Sequence, residues 1–230
     1  MIDLHSLYRR SGFVTGAFLP PGDITGMQHD ADRLHRQAAD LTCTEGDFNL
    51  EAPEGGYHGQ HSGGVSSLPG ILRKVSNVVH HSGEAELIGD RGDLRQLAVT
   101  LTNARPDAVE LVHSILWCKP PEVGSPKPPH QDAAYLDDDP DRYVTIWIAL
   151  DDCTPENGCL QVAPTSHLYD YAHAGAEPQI APKVWDALAR MPVPLHPGWA
   201  IAFHPRLLHA SGANTSTRPR RALMLRYHAL

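Results

Sequence analysis

Several things are scarce in this chain of 230 residues. No stretch approaches eighteen consecutive apolar residues, so no segment reads as a membrane span. The opening residues MIDLHSLYRRSGFV hold no apolar core, so no secretory leader is expected. Cysteine is sparse, and Cys43, Cys118, Cys153 and Cys159 form no CxxC pair and no dense framework. A reduced, cytoplasmic protein follows, with Cys153 and Cys159 as small buried residues. Basic residues are outnumbered 19 to 27, for a net charge of −8. Nucleic-acid binders carry the opposite sign, so that class is disfavoured. No repeat and no low-complexity linker occurs. What remains is 41% apolar and 20% charged, a soluble globular chain able to bury a core. One residue type is in excess, with 15 histidines.

Hydrophobic spacing divides the chain in two. Ile24, Met27, Ala31, Leu34 and Ala38 predict an amphipathic helix between Pro20 and Asp40. Residues 51–69, rich in Gly, Ser and His, read as a loop, and Tyr57 within it is a candidate to cover a substrate. Short helices are expected at Glu84–Gly89 and Asp93–Thr102. From Val109 onward, short apolar or alternating runs are separated by turn residues such as PPEVGSPKPP, DDDPD and TPENG. One helix, near Pro182–Met191, interrupts them. The expected class is α+β, mainly β: one domain over 1–230, helical over 1–108 and a β-sandwich core over 109–230, with the helices buttressing one face. Within the run Tyr143–Leu150, Val144, Ile146, Ile148 and Leu150 suit packing under helices. Thr145 and Trp147 share the other face with Tyr143, and that face suits a cavity with polar contents.

The chemistry concentrates in three short segments. PPHQDAAYL places His130 and Asp132 two residues apart, on one side of an extended chain with Cα atoms ~6.5 Å apart. His209, in FHPRLLHASG, is the third candidate ligand. Two imidazoles and one carboxylate on one face of an octahedral metal leave three positions open, which suits non-haem Fe(II) with a cosubstrate and O2. Parity along the last strand turns Arg220, Ala222 and Met224 inward, and Arg221, Leu223, Leu225 and Tyr227 outward. An inward guanidinium needs an anion, ideally a carboxylate, and Ser211 shares the inward side with His209. A keto-diacid fits both ends of such a site, and 2-oxoglutarate is that molecule. Arg226 has the parity of Arg220 and is the alternative clamp. His113 and Ile115, on an early strand, line the cosubstrate pocket if their face is inward. His204 reads as a strand-end histidine, and His58 and His61 as part of the polar loop.

HQDAAYL, VTIWIALDDCTPENGCLQVAPTSH and FHPRLLHASGANTSTRPRRALMLRYH together resemble the phytanoyl-CoA dioxygenase family. The resemblance runs from about Phe13 to the C-terminus and is strongest from Leu116. One departure is Pro-Thr-Ser-His at 164–167, where the family usually has Pro-Gly-Ser-His; it concerns a turn. The resemblance implies a double-stranded β-helix (a cupin-like jelly roll) that oxidises a substrate C–H with decarboxylation of 2-oxoglutarate to succinate. It implies Fe(II) on His130, Asp132 and His209, and 2-oxoglutarate on Arg220 with Ser211, Thr145, Trp147 and Lys74 nearby. Related halogenases lack the carboxylate that Asp132 supplies, so halogenation is not expected.

Two further readings bear on partners. Asp137, Asp138, Asp139 and Asp141 follow the HxD segment; such a run is usually a solvated turn, and its place beside the HxD segment makes it also a candidate acidic rim of the active-site mouth. With Tyr135, Tyr143 and Trp147 as stacking surfaces, they suit a small polar natural product of secondary metabolism, an aminosugar or oligosaccharide, that is hydroxylated or oxidatively cyclised. No nucleic-acid or membrane partner is expected, and oligomeric state is not legible. The competing readings are a catalytically silent jelly roll that binds metal and a small molecule, and a cupin-type zinc hydrolase or isomerase. The presence of all four residues, His130, Asp132, His209 and Arg220, weighs against both.

Overall fold

The computed structural model describes residues 3–53, 67–175 and 177–230. Tyr57, His58 and His61, and most of the loop expected at 51–69, lie outside the described residues. The described helices are α1 (Leu4–Ser11), α2 (Pro21–Ala38), α3 (Gly83–Gly89), α4 (Gly92–Thr102) and α5 (Pro182–Asp186). The strands are β1 (Phe13–Ala17), β2 (Phe48–Leu50), β3 (Leu72–Ser76), β4 (Val109–Lys119), β5 (Lys127–His130), β6 (Tyr143–Ala149), β7 (Leu160–Val162), β8 (Met191–Val193), β9 (Trp199–Phe203), β10 (His209–Ser211) and β11 (Arg220–Ala229). They form two antiparallel sheets, ordered β1-β9-β6-β11-β4-β3-β2 and β5-β10-β7-β8. The two sheets pack as a jelly roll, the fold that the sequence predicts.

Two apolar layers flank the large sheet. Val144, Ile146, Ile148 and Leu150 lie in one core with Met27, Leu34, Leu94, Leu223, Leu225 and Tyr227, beneath α2 and α4. Trp147, Ala149, Ala222 and Met224 lie in the other core, against Leu160, Val162 and Val193 of the small sheet. The parity read along β6 and β11 therefore holds. Arg221 confirms it from outside, since its guanidinium spans Asp151 at 2.8 Å and Asp32 at 2.5 Å on the helix side. Pro21 at the start of α2 and Asp23 in its first turn suit a helix N-terminus, and its five apolar positions are all buried.

Four differences from the sequence expectations matter. The division at 108 does not separate helices from strands, because β1, β2 and β3 all join the large sheet. Helix α5 stops at Asp186, short of Met191, because Met191–Val193 pairs with β7. KPPH, which falls partly in an expected turn, is strand β5. Its prolines are tolerated because β5 is an edge strand, with β10 as its neighbour in the small sheet. Helix α1 is also unforeseen; it is capped by Asp3 and closed by Gly12 at φ 86°, where a Cβ would meet the His167 ring at 2.6 Å.

Candidate active site

The edge pairing of β5 with β10 builds the centre of the site. His130 and His209 are direct partners in that register, and their rings sit 4.3 Å apart. Asp132 arrives from a 3-10 turn at Asp132–Tyr135, not from a continuing strand. Gln131 between them stays extended, so both side chains still point the same way. Its amide is pinned by the carbonyls of Tyr169 at 2.9 Å and Arg206 at 2.6 Å, and it accepts from the Tyr171 N–H at 3.2 Å. The three candidate ligands are buried, and their donor atoms lie within 4.8 Å of one another.

The donor chemistry fits a metal. Nδ1 of His130 lies 2.8 Å from the Pro128 carbonyl and Nδ1 of His209 lies 3.0 Å from the Leu207 carbonyl. A carbonyl only accepts, so each Nδ1 carries the proton and each Nε2 presents a lone pair. Those Nε2 atoms lie 3.4 Å and 3.8 Å from Oδ1 of Asp132. An octahedron with ~2.1 Å bonds has edges of about 3 Å, so a small inward movement closes the set on one ion. Burial pushes the His130 imidazole down to about 3, helped by His209, and also lowers His209. Both rings are therefore neutral ligands at neutral pH. Burial works to raise the Asp132 carboxyl, but Arg226 and the two histidines override it and hold it well below the usual range.

The second oxygen of Asp132 is spoken for. Oδ2 accepts from an Arg226 nitrogen at 2.5 Å and from Thr145 Oγ1 at 3.2 Å. Arg226 and Thr145 are themselves cross-strand partners, with Arg226 Nε 3.2 Å from Thr145 Oγ1. Thr145, which the resemblance placed near the cosubstrate, thus holds a metal ligand. Arg226 is committed to Asp132, not free as a second clamp. Only its parity with Arg220 marks it in the sequence.

A narrow cavity runs from the triad between the sheets to Arg220, lined also by Ser211, Trp147, Phe203 and Met224. The Arg220 guanidinium lies over the Trp147 ring, 5.2 Å from its centroid. Arg73 pairs with Glu51 at 3.0 Å and Lys119 donates to two carbonyls at 2.6 Å. Arg220 makes no hydrogen bond or ion pair among the described residues, and its buried Nε is unsatisfied. Burial lowers its pKa.

A wider pocket of about 480 Å³ opens on the other side of the triad. Lys74 and His113 line this pocket, not the cavity that ends on Arg220. The register explains it for His113, which opposes Arg226, six residues along β11 from Arg220; Lys74 opposes Trp117, which lines both spaces. Lys74 lies over the Trp117 ring at 5.3 Å. Burial, with Lys127 and Arg73, pushes its ammonium down to about 8. Tyr135, Asp137 and Asp138 also line this pocket, with Tyr143 and Glu177. The acidic rim is partly neutralised, since Arg142 takes Asp138 at 2.8 Å and Arg206 takes Asp141, which is also within hydrogen-bond distance of His204. Lys127, Tyr135 and Glu177 form a polar wall, with Lys127 Nζ 3.0 Å from the Tyr135 hydroxyl and 3.5 Å from Glu177. Lys127 and Glu177 are not legible as site residues in the sequence, because they lie in a Pro-rich segment and a loop without period.

The phytanoyl-CoA dioxygenase family profile matches residues 8–222. The methylphosphonate hydroxylase of Gimesia maris is 40% identical over 89 residues, 39% of this chain and 34% of that protein. Phytanoyl-CoA dioxygenase 1 of Oryza sativa subsp. japonica is 31% identical over 161 residues, 67% of this chain. The chain thus spans a third to just over half of the length of these relatives, 34% and 56%. Among solved structures, AviO1 from Streptomyces viridochromogenes Tue57 has a TM-score of 0.77 at 28% identity, covering 98% of this chain and 93% of that one.

Proposed function

Because the chain belongs to the phytanoyl-CoA dioxygenase family, we propose that it is an Fe(II)- and 2-oxoglutarate-dependent oxygenase acting on a small polar molecule. The observation that carries this reading is Arg220, a buried cation without an anionic partner among the described residues, at the end of a cavity that begins at a metal-ligand triad. A permanently charged guanidinium sealed between two sheets is costly unless an anion enters. A molecule with a carboxylate at one end and a chelating keto acid at the other satisfies both ends of the cavity.

Iron and 2-oxoglutarate, when bound, supply the oxidising power: decarboxylation to succinate and CO2, with O2 as oxidant of a substrate C–H. The chain's own residues do the rest. His130 and His209 present fixed Nε2 lone pairs, and Asp132 contributes the negative charge. Arg220 takes the distal carboxylate, with Ser211 as a further donor and Trp147 as a wall that excludes water. Lys74 and His113 face the triad from the wider pocket, where Lys74 is available to an anionic group beside the metal.

The wider pocket is the substrate's. Tyr135, Tyr143 and Trp117 offer faces for a ring, and Asp137 and Glu177 accept hydroxyl or ammonium hydrogens. These groups support a sugar- or amine-bearing natural product of secondary metabolism, hydroxylated or oxidatively closed into a ring. The test is succinate release from 2-oxoglutarate, coupled to consumption of a candidate substrate, across a panel of aminosugars, oligosaccharides and acyl thioesters. Coupled turnover of a polar ring compound is expected. Turnover of a fatty acyl-CoA alone would show the pocket misread.

A further inference from the structure

We infer that Arg226 is a positioning residue of the metal site. By occupying Oδ2 of Asp132 it restricts that carboxylate to a single donor, Oδ1, and so keeps one coordination position free. The inference rests on the Fe(II)/2-oxoglutarate reading above.

A carboxylate can bind a hard cation through one oxygen or through both. At a six-coordinate ion, three single donors leave three positions. A two-oxygen Asp132 would leave two, and a bidentate 2-oxoglutarate would then fill the ion completely. Which of these occurs depends on what holds the second oxygen. Here Oδ2 lies 2.5 Å from an Arg226 nitrogen and 3.2 Å from Thr145 Oγ1, while Oδ1 faces the two histidine Nε2 atoms. The arrangement is rigid because it is built into the sheet. Thr145 and Arg226 are opposed in the β6–β11 register, and Arg226 Nε reaches Thr145 Oγ1 at 3.2 Å, so one planar guanidinium is aligned by the residue that shares its acceptor. All three side chains are buried. The β4–β11 register also shifts between Arg226 and Tyr227, and such irregularities re-aim side chains beside active sites.

The test uses nitric oxide as a surrogate for O2, read by electron paramagnetic resonance of the whole chain loaded anaerobically with Fe(II) and 2-oxoglutarate. Arg226→Met removes the donors at similar side-chain length; Arg226→Lys returns a charge and one donor. Wild type is expected to give an iron–nitrosyl signal. Arg226→Met should retain Fe(II), measured as metal content, while its affinity for nitric oxide falls at least about tenfold. Arg226→Lys should recover most of it. Nitric oxide affinity within about twofold of wild type in a folded, iron-loaded Arg226→Met would overturn the inference. Should Arg226→Met not fold, Arg226→Gln removes the charge and shortens the side chain so that it no longer spans to Oδ2, and an unweakened signal there overturns it equally. Wild-type protein that takes up no Fe(II) would overturn the inference and the proposed function together. Normal loading of wild type with an unchanged variant overturns the inference alone.

Discussion

Arg220→Met replaces a buried guanidinium by an apolar side chain of similar length, and two opposite effects follow from the structure. In the ligand-free protein Arg220 has a ring beneath it but no anion and no hydrogen bond among the described residues. Replacing buried charge by a packed apolar group commonly stabilises by ~1–4 kcal/mol. The cation–π contact with Trp147 that is lost returns roughly 1 kcal/mol of that. The free variant should therefore be at least as stable as wild type, with Tm raised by up to a few degrees, at about 2–4 °C per kcal/mol for a chain of this size. Binding should move the other way. A ligand carboxylate left unpaired costs about 2–5 kcal/mol, which weakens the Kd for 2-oxoglutarate about 30-fold to several thousandfold. At about 100 times the wild-type Kd, 2-oxoglutarate stabilises wild type by ~2.7 kcal/mol, or about 5–10 °C in Tm. The variant at the same concentration should gain about 3 °C or less. Scanning fluorimetry with and without 2-oxoglutarate, at fixed Mn(II), measures both quantities. A variant destabilised when free, or one that keeps the full ligand-induced shift, would refute the assignment of Arg220 as an anion clamp.

Three other outcomes are expected. Asp132→Ala removes the only carboxylate of the triad, so metal affinity should fall by more than the roughly 10–100-fold typical of a lost supporting residue; isothermal titration with Fe(II) or Mn(II) checks it, and retained affinity would move the metal elsewhere. Asp137→Asn should raise the KM for a cationic substrate at low salt, with the effect fading near ~0.5 M salt as exposed charges are screened. Asp138→Asn should do less, because Arg142 already neutralises Asp138. Burial, with Arg226 for His113 and against the pull of Asp141 for His204, pushes both imidazoles down to about 4. Their folded pKa values lie below the unfolded value of about 6.5, so the stability they contribute is present above pH ~6.5 and is lost as pH falls towards 4. Tm should therefore decline steadily across that window in metal-free protein, and a flat profile between pH 7 and 5 would contradict the buried, neutral state of these rings.

Much of the site was legible because its chemistry is local. His130 and Asp132 are separated by one extended residue, so their shared direction follows from backbone geometry alone. Arg220, Ala222 and Met224 alternate with Arg221, Leu223 and Leu225, and a strand of period two leaves only two ways to face. The aliphatic face of Tyr143–Leu150 is likewise written in its alternation, and the structure buries it under α2 and α4 as expected. Elements that break a local rule were not legible. Strand β5 carries two prolines and shows itself only as an edge beside β10. Strands β1 to β3 are short and precede the expected core, so nothing in their own composition says that they complete the large sheet.

What the amino-acid sequence determined by itself was therefore parity: which side chains share a face, and so which chemistries can meet. What the tertiary structure alone decided was pairing. The register of β5 on β10 sets His130 against His209, and the register of β6 on β11 sets Thr145 against Arg226. That second pairing assigns Arg226 to Asp132 and leaves Arg220 without an anionic partner among the described residues, although the two arginines have the same parity on one strand. Alternation is a property of one chain segment and can be read from it. Register depends on how segments far apart in the chain close against each other, and a difference of six residues along one strand moves a guanidinium from a metal ligand to the end of a separate cavity.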